Sequence, residues 1–321
     1  MNHTMTVGIV LSAFRGCAYL RTQLDSLRAQ TRPADLVVIA DDDSGDGTAD
    51  FLESYIREYE LGDKWKFFQN ECRLGYVKSF YRAMDNCPTD LIFLCDQDDV
   101  WAAEKLEKMQ AVLQQNEKIA LLCSAHSMID ARGNQFRSIR YRNFSGSEKI
   151  TSVDARSVIL QFPYPGMCMC VRRAFWDRVR ETAKRIDAPH DRVLALMAQA
   201  EQGMYFYDYI GAYHRMHENN AGQEENRPSA FLRRDVKIRE LTQMIAWLSA
   251  VARYPAALSP EADRVIRRYN KTLMMRVSGL TRKSVLPLCR AALRFRGYVS
   301  VRAFVADLYI ILFTKNAKLS S

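Results

Sequence analysis

Three carboxylates that lie close together in the sequence could hold a divalent cation. Asp96, Asp98 and Asp99 follow the short apolar run Leu91–Cys95, which is typical of a buried strand. Carboxylates crowded at the end of a buried strand repel one another and lose hydration, so a positive charge should lie among them. Oxygen ligands suit Mg²⁺ or Mn²⁺, which keep part of their coordination shell for a substrate phosphate. The alternative is a solvated loop in which Asp99 caps the following helix.

A second acidic cluster follows another apolar run. Asp41–Asp43 come directly after Leu36–Ala40, and Gly45 and Gly47 allow the tight turn that a ligand-binding loop needs. An aspartate at the end of a strand can accept a hydrogen bond from the ring N–H of a pyrimidine. This loop is therefore a candidate for binding a nucleobase.

Apolar runs alternate with amphipathic helix patterns through the first 124 residues. The predicted strands are Thr6–Leu11, Leu36–Ala40, Trp65–Gln69, Leu91–Cys95 and Ala120–Ser124. The predicted helices between them are Tyr19–Ala29, Thr48–Tyr59, Val77–Met84 and Ala102–Gln115. This alternation predicts an α/β fold with a doubly wound, mostly parallel sheet. Both acidic clusters then fall at the carboxyl ends of strands, where open α/β sheets bind ligands.

The pattern changes after Ile129. The later predictions are a strand at Cys168–Arg172, a helix from about Phe175, a helix at Val193–Ala200, an apolar segment at Met204–Tyr209, and helices at Val236–Val251, Ala262–Met275 and Val299–Phe313. The polar stretch Gln223–Ser229 suggests a boundary. We predict an α/β domain over 1–225 and a basic helical C-terminal region over 226–321.

Charge is divided unevenly between these two parts. Residues 226–321 carry 19 Lys and Arg against 5 Asp and Glu, a net charge of +14, whereas residues 1–225 carry a net charge of −5. Val299–Phe313 is too short and too charged to span a bilayer, but its apolar face and basic surroundings favour a helix on an anionic membrane surface. The alternative is a helical subdomain that packs on the rest of the chain or forms a dimer. Few aromatics accompany the basic residues and no nucleic-acid module is recognisable, so no nucleic acid partner is expected.

Several common classes are disfavoured. The sequence has neither G-x-G-x-x-G after the first strand nor G-x-x-x-x-G-K-[ST], the fingerprints of dinucleotide and P-loop sites. The eight cysteines are scattered, as in proteins that keep their thiols reduced, and no signal-peptide pattern opens the chain. We expect a cytoplasmic protein, peripheral on the inner face of the cytoplasmic membrane if the basic region binds lipid.

Four ordered motifs carry a resemblance to a known family. SAFRGCAYL, VVIADDDSGDGTADFLESY, NECRLGYVKSFYRAM and LIFLCDQDDVW resemble the inverting glycosyltransferases of family 2, most closely a bacterial rhamnosyltransferase-like branch, over roughly residues 5–222. The resemblance implies a GT-A fold and a metal-dependent transfer of a sugar from a dTDP- or UDP-sugar donor. It also implies a growing cell-surface glycan or a lipid-linked glycan as acceptor, with rhamnose as the hypothesised sugar.

The resemblance also implies roles for individual residues. The donor-binding residues would be Ser12, Phe14, Arg15, Asp41, Asp42, Asp96, Gln97 and Arg215. The ligands of Mg²⁺ or Mn²⁺ would be Asp98 and His217, supported by Asp99. The acceptor-side residues would be Trp101, Gly166, Met167 and His190, and the catalytic base would be Asp191. The alternatives are core packing for Trp101, a polar surface loop for His217 and a helix N-cap for Asp191.

Two other classes of protein stay open. A metal-dependent nucleotidyltransferase also uses aspartates at strand ends, but it needs a basic, glycine-rich loop for a triphosphate, and Phe14–Tyr19 supplies one arginine and one glycine. A non-catalytic glycan- or membrane-binding protein is the other alternative.

Overall fold

The computed structural model describes residues 4–137, 144–218, 220, 233–253, 258–295 and 297–313. The chain divides into two compact units, Met1–His217 and Glu218–Ser321, and each is described by itself. The predicted division after residue 225 lies outside the described residues.

The first unit is built on one mixed sheet, which has ten strands in the described part of the chain. They are β1 (Val7–Ala13), β2 (Leu36–Asp41), β3 (Trp65–Gln69), β4 (Leu91–Asp96), β5 (Val100–Trp101), β6 (Leu121–Ile129), β7 (Gln135–Phe136), β8 (Ile150–Ser152), β9 (Met169–Arg172) and β10 (Met204–Arg215). Its α-helices are α1 (Cys17–Arg28), α2 (Thr48–Glu58), α3 (Tyr76–Asp85), α4 (Lys105–Gln115), α5 (Arg173–Ala183) and α6 (His190–Ala200).

The main path of the sheet runs β3-β2-β1-β4-β9-β6-β10-β5. The pairs β1–β2, β1–β4, β2–β3 and β6–β10 are parallel, whereas β9 pairs antiparallel with both β4 and β6. The predicted doubly wound, mostly parallel sheet is confirmed. The sequence pattern did not show that β9 inserts between β4 and β6 with its direction reversed.

The central strands form the core of the first unit, because their side chains are buried on both faces of the sheet. Every residue of β1 is buried, and so are the first five residues of β4. The register pairs Ala13 with Asp41 and Ser12 with Asp96. The carboxyl ends of β1, β2 and β4 therefore lie side by side, and both acidic clusters begin at this edge.

The second unit is helical in its described residues. Its helices are α7 (Arg234–Val251), α8 (Pro260–Arg282), α9 (Val285–Arg294) and α10 (Val301–Phe313). The long helix α8 contacts α7, α9 and α10, and its Arg276 forms a buried ion pair with Asp307 of α10. None of the helices described in either unit is long and apolar enough to cross a membrane.

Candidate active site

Both carboxylates of the loop after β2 are buried and hold the surrounding backbone. Asp41 accepts hydrogen bonds from the amide and the hydroxyl of Ser44. Asp42 accepts hydrogen bonds from the amides of Leu74 and Gly75, each at 2.8 Å, and from Nδ2 of Asn70 at 3.0 Å. Asp41 and Asp42 thus fix the loops at this edge, and their contact with a nucleobase stays a prediction.

The loop after β1 is tied to the loop after β4 through Gln97. Its Oε1 accepts from the Phe14 amide at 2.8 Å, and its Nε2 donates to the Phe14 carbonyl at 3.0 Å. Arg15 has a φ of 50°, and its amide donates to the Ser44 hydroxyl. The guanidinium of Arg73 lies 4.2 Å from the centre of the Phe14 ring. Arg73 was not singled out from the sequence because only the fold brings it beside Phe14.

The loop after β4 concentrates negative charge. Burial and the charges of Asp99 and Asp98 raise the pKa of Asp96 well above its usual value. Burial and the charge of Asp99 also raise the pKa of Asp98, although His217 acts in the opposite direction. The raised pKa values of Asp96 and Asp98 agree with the predicted crowding of carboxylates at the end of this strand, and a bound cation would relieve their repulsion.

His214 compensates part of this charge. Asp99 is fully buried; its Oδ1 accepts from the Arg215 amide at 2.9 Å and lies 3.1 Å from His214 Nδ1. Its Oδ2 is buried with no hydrogen-bond partner among the described residues. Burial opposes protonation of His214, but the bond to Asp99 and the neighbouring carboxylates raise its pKa to about 9. An imidazolium beside Asp99 at neutral pH is a contribution that the sequence pattern did not assign.

Asp98 and His217, the two predicted ligands of the cation, form a hydrogen bond with each other, and their binding of a metal stays a prediction. His217 Nε2 lies 2.8 Å from Asp98 Oδ2. Neighbouring ligands in an octahedral Mg²⁺ shell, with bonds of about 2.1 Å, are about 3 Å apart. The described residues contain no group of three metal-ligating side chains. The pair fits a cation that takes its other ligands from a substrate phosphate and from water.

Arg215 ties β10 to the acidic loop. Its Nε donates to the Asp98 carbonyl at 2.8 Å, and Nη1 donates to the carbonyls of Asp130 and Ala131 at 3.3 Å. The residue is only 3 % exposed. In the structure the guanidinium of Arg215 binds these three backbone carbonyls. The contact between Arg215 and a diphosphate stays a prediction.

Trp101 packs in the core. It is 3 % exposed, pairs with Ala212 across β5 and β10, and has its ring against that of Phe93. The structure therefore shows the core packing that was the alternative interpretation, and the contact of this ring with an acceptor sugar stays a prediction.

A short 3₁₀ turn, Gly166–Cys168, precedes β9 and carries two of the predicted acceptor-side residues. The Met167 carbonyl accepts a hydrogen bond from Nζ of Lys105. Lys105 is fully buried, which lowers its pKa, and its ammonium lies 3.5 Å from the centre of the Trp101 ring. Lys105 therefore connects this turn to β5.

His190 lies directly behind the same turn. Its ring stacks on Phe80 at 4.1 Å and meets the half-exposed ring of Tyr76 edge-on at 5.9 Å. Both ring nitrogens are buried without a hydrogen-bond partner among the described residues, and burial lowers the pKa of the ring. His190 thus has two unpartnered ring nitrogens next to Gly166, and its contact with an acceptor stays a prediction.

Asp191 lies in the first turn of α6, close to the acidic loop. Pro189 is the N-cap of α6, and Asp191 Oδ1 accepts a hydrogen bond from the adjacent Arg192 amide at 2.7 Å. The charge of Asp191 also contributes to the raised pKa of Asp96. The role of Asp191 as the catalytic base stays a prediction.

We predict that Gly166→Ala destabilises the protein by about 1–3 kcal/mol. A Cβ at this position would lie 2.9 Å from His190 Nε2, and the stacked ring of His190 has little room to move. Thermal unfolding measures the effect. Gly62→Ala is the matched control, because a Cβ there meets nothing within 4 Å and the φ of Gly62 is not positive. Equal melting temperatures for Gly166→Ala and the wild type would show that the packing against His190 is loose.

Solved structures share this architecture, which is the GT-A fold of sugar transferases. The chain is similar to Staphylococcus aureus TarS 1–349 in complex with UDP-GlcNAc, with a TM-score of 0.57, 14% identity, and coverage of 95% of this chain and 91% of that chain. It is also similar to the mannosyltransferase PcManGT from Pyrobaculum calidifontis in complex with GDP-Man and Mn²⁺, with a TM-score of 0.53, 12% identity, and coverage of 98% and 89%.

The family model described as Glycosyl transferase family 2 matches residues 8–179, and this chain belongs to that family. An uncharacterized glycosyltransferase of Nostoc sp. is 27% identical over 159 residues, 49% of this chain and 46% of that protein. One of Methanocaldococcus jannaschii is 30% identical over 128 residues, 39% and 43% of the two chains. The chain thus spans about half the length of these curated relatives. The predicted family is confirmed, and the rhamnosyltransferase-like branch stays a prediction.

Proposed function

We propose that this protein is an inverting, metal-dependent glycosyltransferase that uses a nucleoside diphosphate sugar. The observation that carries the proposal is the electrostatic interaction of Asp191 with Asp96, whose pKa is raised by burial, by Asp99 and Asp98, and by Asp191 itself. One carboxylate is thereby available for proton transfer, while the others are available to a cation and a donor. The membership of family 2 supports the same reaction class.

On the donor side, the loops after β1 and β2 would hold the nucleoside. Ser12, Phe14 and Arg15 would line the base pocket, with Asp41 and Asp42 accepting from the base. Asp96 would face the ribose or the sugar. The nucleotides bound in the similar structures, UDP-GlcNAc in TarS and GDP-Man in PcManGT, support a nucleotide-sugar donor.

Asp98 and His217 would hold Mg²⁺ or Mn²⁺, which when bound supplies positive charge beside the donor diphosphate. The 2.8 Å contact between their ligating atoms and the Mn²⁺ named for PcManGT support this assignment. Asp99 would support the metal site indirectly, because its contacts with His214 and with the Arg215 amide hold β10 against the loop that carries Asp98.

Asp191 would act as the base in a single displacement. Its carboxylate takes the proton of an acceptor hydroxyl while that oxygen forms a bond to the anomeric carbon of the donor sugar. The bond between this carbon and the diphosphate oxygen breaks on the opposite face, so the nucleoside diphosphate leaves and the configuration inverts. Gly166, Met167 and His190 lie beside Asp191 and would bound the acceptor side.

dTDP-rhamnose is the hypothesised donor, on the ground of the motif resemblance alone, and a growing cell-surface glycan or a lipid-linked glycan is the hypothesised acceptor. Hydrolysis assays with a panel of nucleotide sugars test the donor. Faster turnover of any other sugar would reject rhamnose.

Asp98→Asn is predicted to abolish the metal dependence of nucleotide binding. Calorimetry with UDP, dTDP and GDP, with and without Mn²⁺, should show that Mn²⁺ strengthens nucleotide binding to the wild type. In the variant the affinity for Mn²⁺ should fall by about 100-fold or more, because a neutral amide is a poor ligand of a hard cation. Asp50→Asn, an exposed change on α2, is the control. If the wild-type protein bound neither Mn²⁺ nor Mg²⁺ nor any of the three nucleotides, the proposed function would be refuted.

A further inference from the structure

The last described helix presents an apolar face to solvent. Val301, Val305, Tyr309 and Leu312 recur at helical spacing along α10 and are all exposed, Val301 by 81 %. The opposite face packs inward through Asp307, Ile310 and Ile311. A helix on the surface of a soluble unit is normally polar on its outer face, so this stripe indicates a surface that contacts something apolar.

The neighbouring helix α9 shows a related pattern. Leu286 and Leu293 are exposed, Leu293 by 70 %, while Leu288 and Ala291 are buried. Arg290 and Arg294 lie on the exposed side among these leucines. Because α9 and α10 contact each other, we treat these exposed side chains together and call them the α9–α10 surface.

The charge around this surface has one sign. Residues 282–313, the stretch that includes both helices, contain six Lys and Arg but only one carboxylate side chain, Asp307. Asp307 is buried and bound to Arg276 at 2.6 Å, so it presents no negative charge to solvent. Exposed leucines, the apolar stripe on α10 and two arginines without an ion pair among the described residues therefore occur together.

We propose that the α9–α10 surface docks on a membrane rich in anionic lipid. Such a surface offers negative headgroups to Arg290 and Arg294 and an apolar layer to the stripe on α10. A second copy of this chain would place two strongly basic surfaces face to face, which is unfavourable. The proposal does not depend on the reaction proposed above, because it uses only the second unit.

The test is sedimentation of the full chain with vesicles of phosphatidylcholine alone or mixed equally with phosphatidylglycerol. The wild type should bind the mixed vesicles and release at high salt. Arg290→Gln with Arg294→Gln should weaken binding about 25-fold, since each cation near an anionic surface contributes about fivefold. Val305→Ser with Leu312→Ser should weaken it about tenfold or more through lost apolar contact. All four positions are exposed, so folding should be retained.

The matched control is Arg264→Gln with Arg268→Gln, which removes the same charge from exposed positions on α8. An equal loss of binding in this control, equal binding to both kinds of vesicle, or no binding at all would overturn the proposal. It would also be overturned by a dimeric wild type that Val305→Ser with Leu312→Ser makes monomeric. Nucleotide-induced thermal shifts on the same variants separate the two proposals, because a failure of nucleotide binding leaves the vesicle result standing.

Discussion

Replacing Asp191 with asparagine is expected to lower sugar transfer by about 10²–10⁴-fold, the usual contribution of a general base. The amide cannot take a proton from an acceptor hydroxyl, but it keeps the shape of the side chain and can still accept from the Arg192 amide. Nucleotide affinity should stay within about twofold because Asp191 is not placed on the donor. Release of nucleoside diphosphate measures turnover, and calorimetry measures affinity.

The control for this change is Asp187→Asn, an exposed aspartate in the segment that leads into α6. Full activity in Asp191→Asn would assign the base to another group. Parallel loss of turnover and nucleotide affinity would indicate a structural role instead. A glycan- or membrane-binding protein without catalysis would show no turnover in the wild type, and a nucleotidyltransferase would release pyrophosphate from a nucleoside triphosphate.

Replacing Asp307 with asparagine is expected to lower the free energy of unfolding by about 3–5 kcal/mol. Arg276 donates to both carboxylate oxygens of Asp307, at 2.6 Å and 3.2 Å, and the two side chains are 6% and 1% exposed. The variant leaves a buried guanidinium without its counter-charge. Because whole domains are stable by only about 5–15 kcal/mol, chemical denaturation should register the loss clearly.

Two further variants sharpen this test. Asp263→Asn removes the partner of Arg267, which is 74 % exposed, and should change stability far less. Replacing both members of the buried pair, by Arg276→Met with Asp307→Leu, should restore most of the stability because no charge is then left buried. A small effect of Asp307→Asn alone would mean that water reaches this pair.

The edge of the sheet that carries the site was predictable because its apolar runs end in aspartates. Leu36–Ala40 and Leu91–Cys95 differ by one residue or less from the observed strands, whose last residues are Asp41 and Asp96. Parallel neighbours bring their carboxyl ends together, so the meeting of the two clusters followed from the alternation of elements. The alternation of apolar runs with helix patterns was therefore sufficient to predict this part of the fold.

Other elements were obscured by irregular backbone. The strand β10 continues to Arg215, but its pairing with β6 shifts register between Tyr207 and Ile210 and again between Ile210 and Ala212, which breaks the alternation of its side chains. Pro287 lies in the first turn of α9, where proline is tolerated but a helix pattern is short. The prediction therefore ended β10 early and missed α9.

Residue type also did not settle what each polar side chain contacts. Gln97 and Arg215 were both assigned to the donor, yet the structure shows Gln97 paired with the Phe14 backbone and Arg215 on three carbonyls. The pKa of His214 is raised by its hydrogen bond to Asp99 and by the charges of the neighbouring carboxylates, which only the fold brings beside it. Such contacts join segments that are far apart in sequence, so they cannot be predicted from the spacing of residues along the chain.

The reversed direction of β9 has a consequence for how this architecture can diversify. Because β9 runs against β4, the Gly166–Cys168 turn enters the site from the beginning of a strand, whereas the aspartates after β2 and β4 enter from the ends of strands. The stretch between β6 and β9 can therefore be lengthened, shortened or exchanged without disturbing the register of β1 with β2 and β4. Changes in that stretch would alter the Gly166–Cys168 turn while leaving the aspartates after β2 and β4 in place.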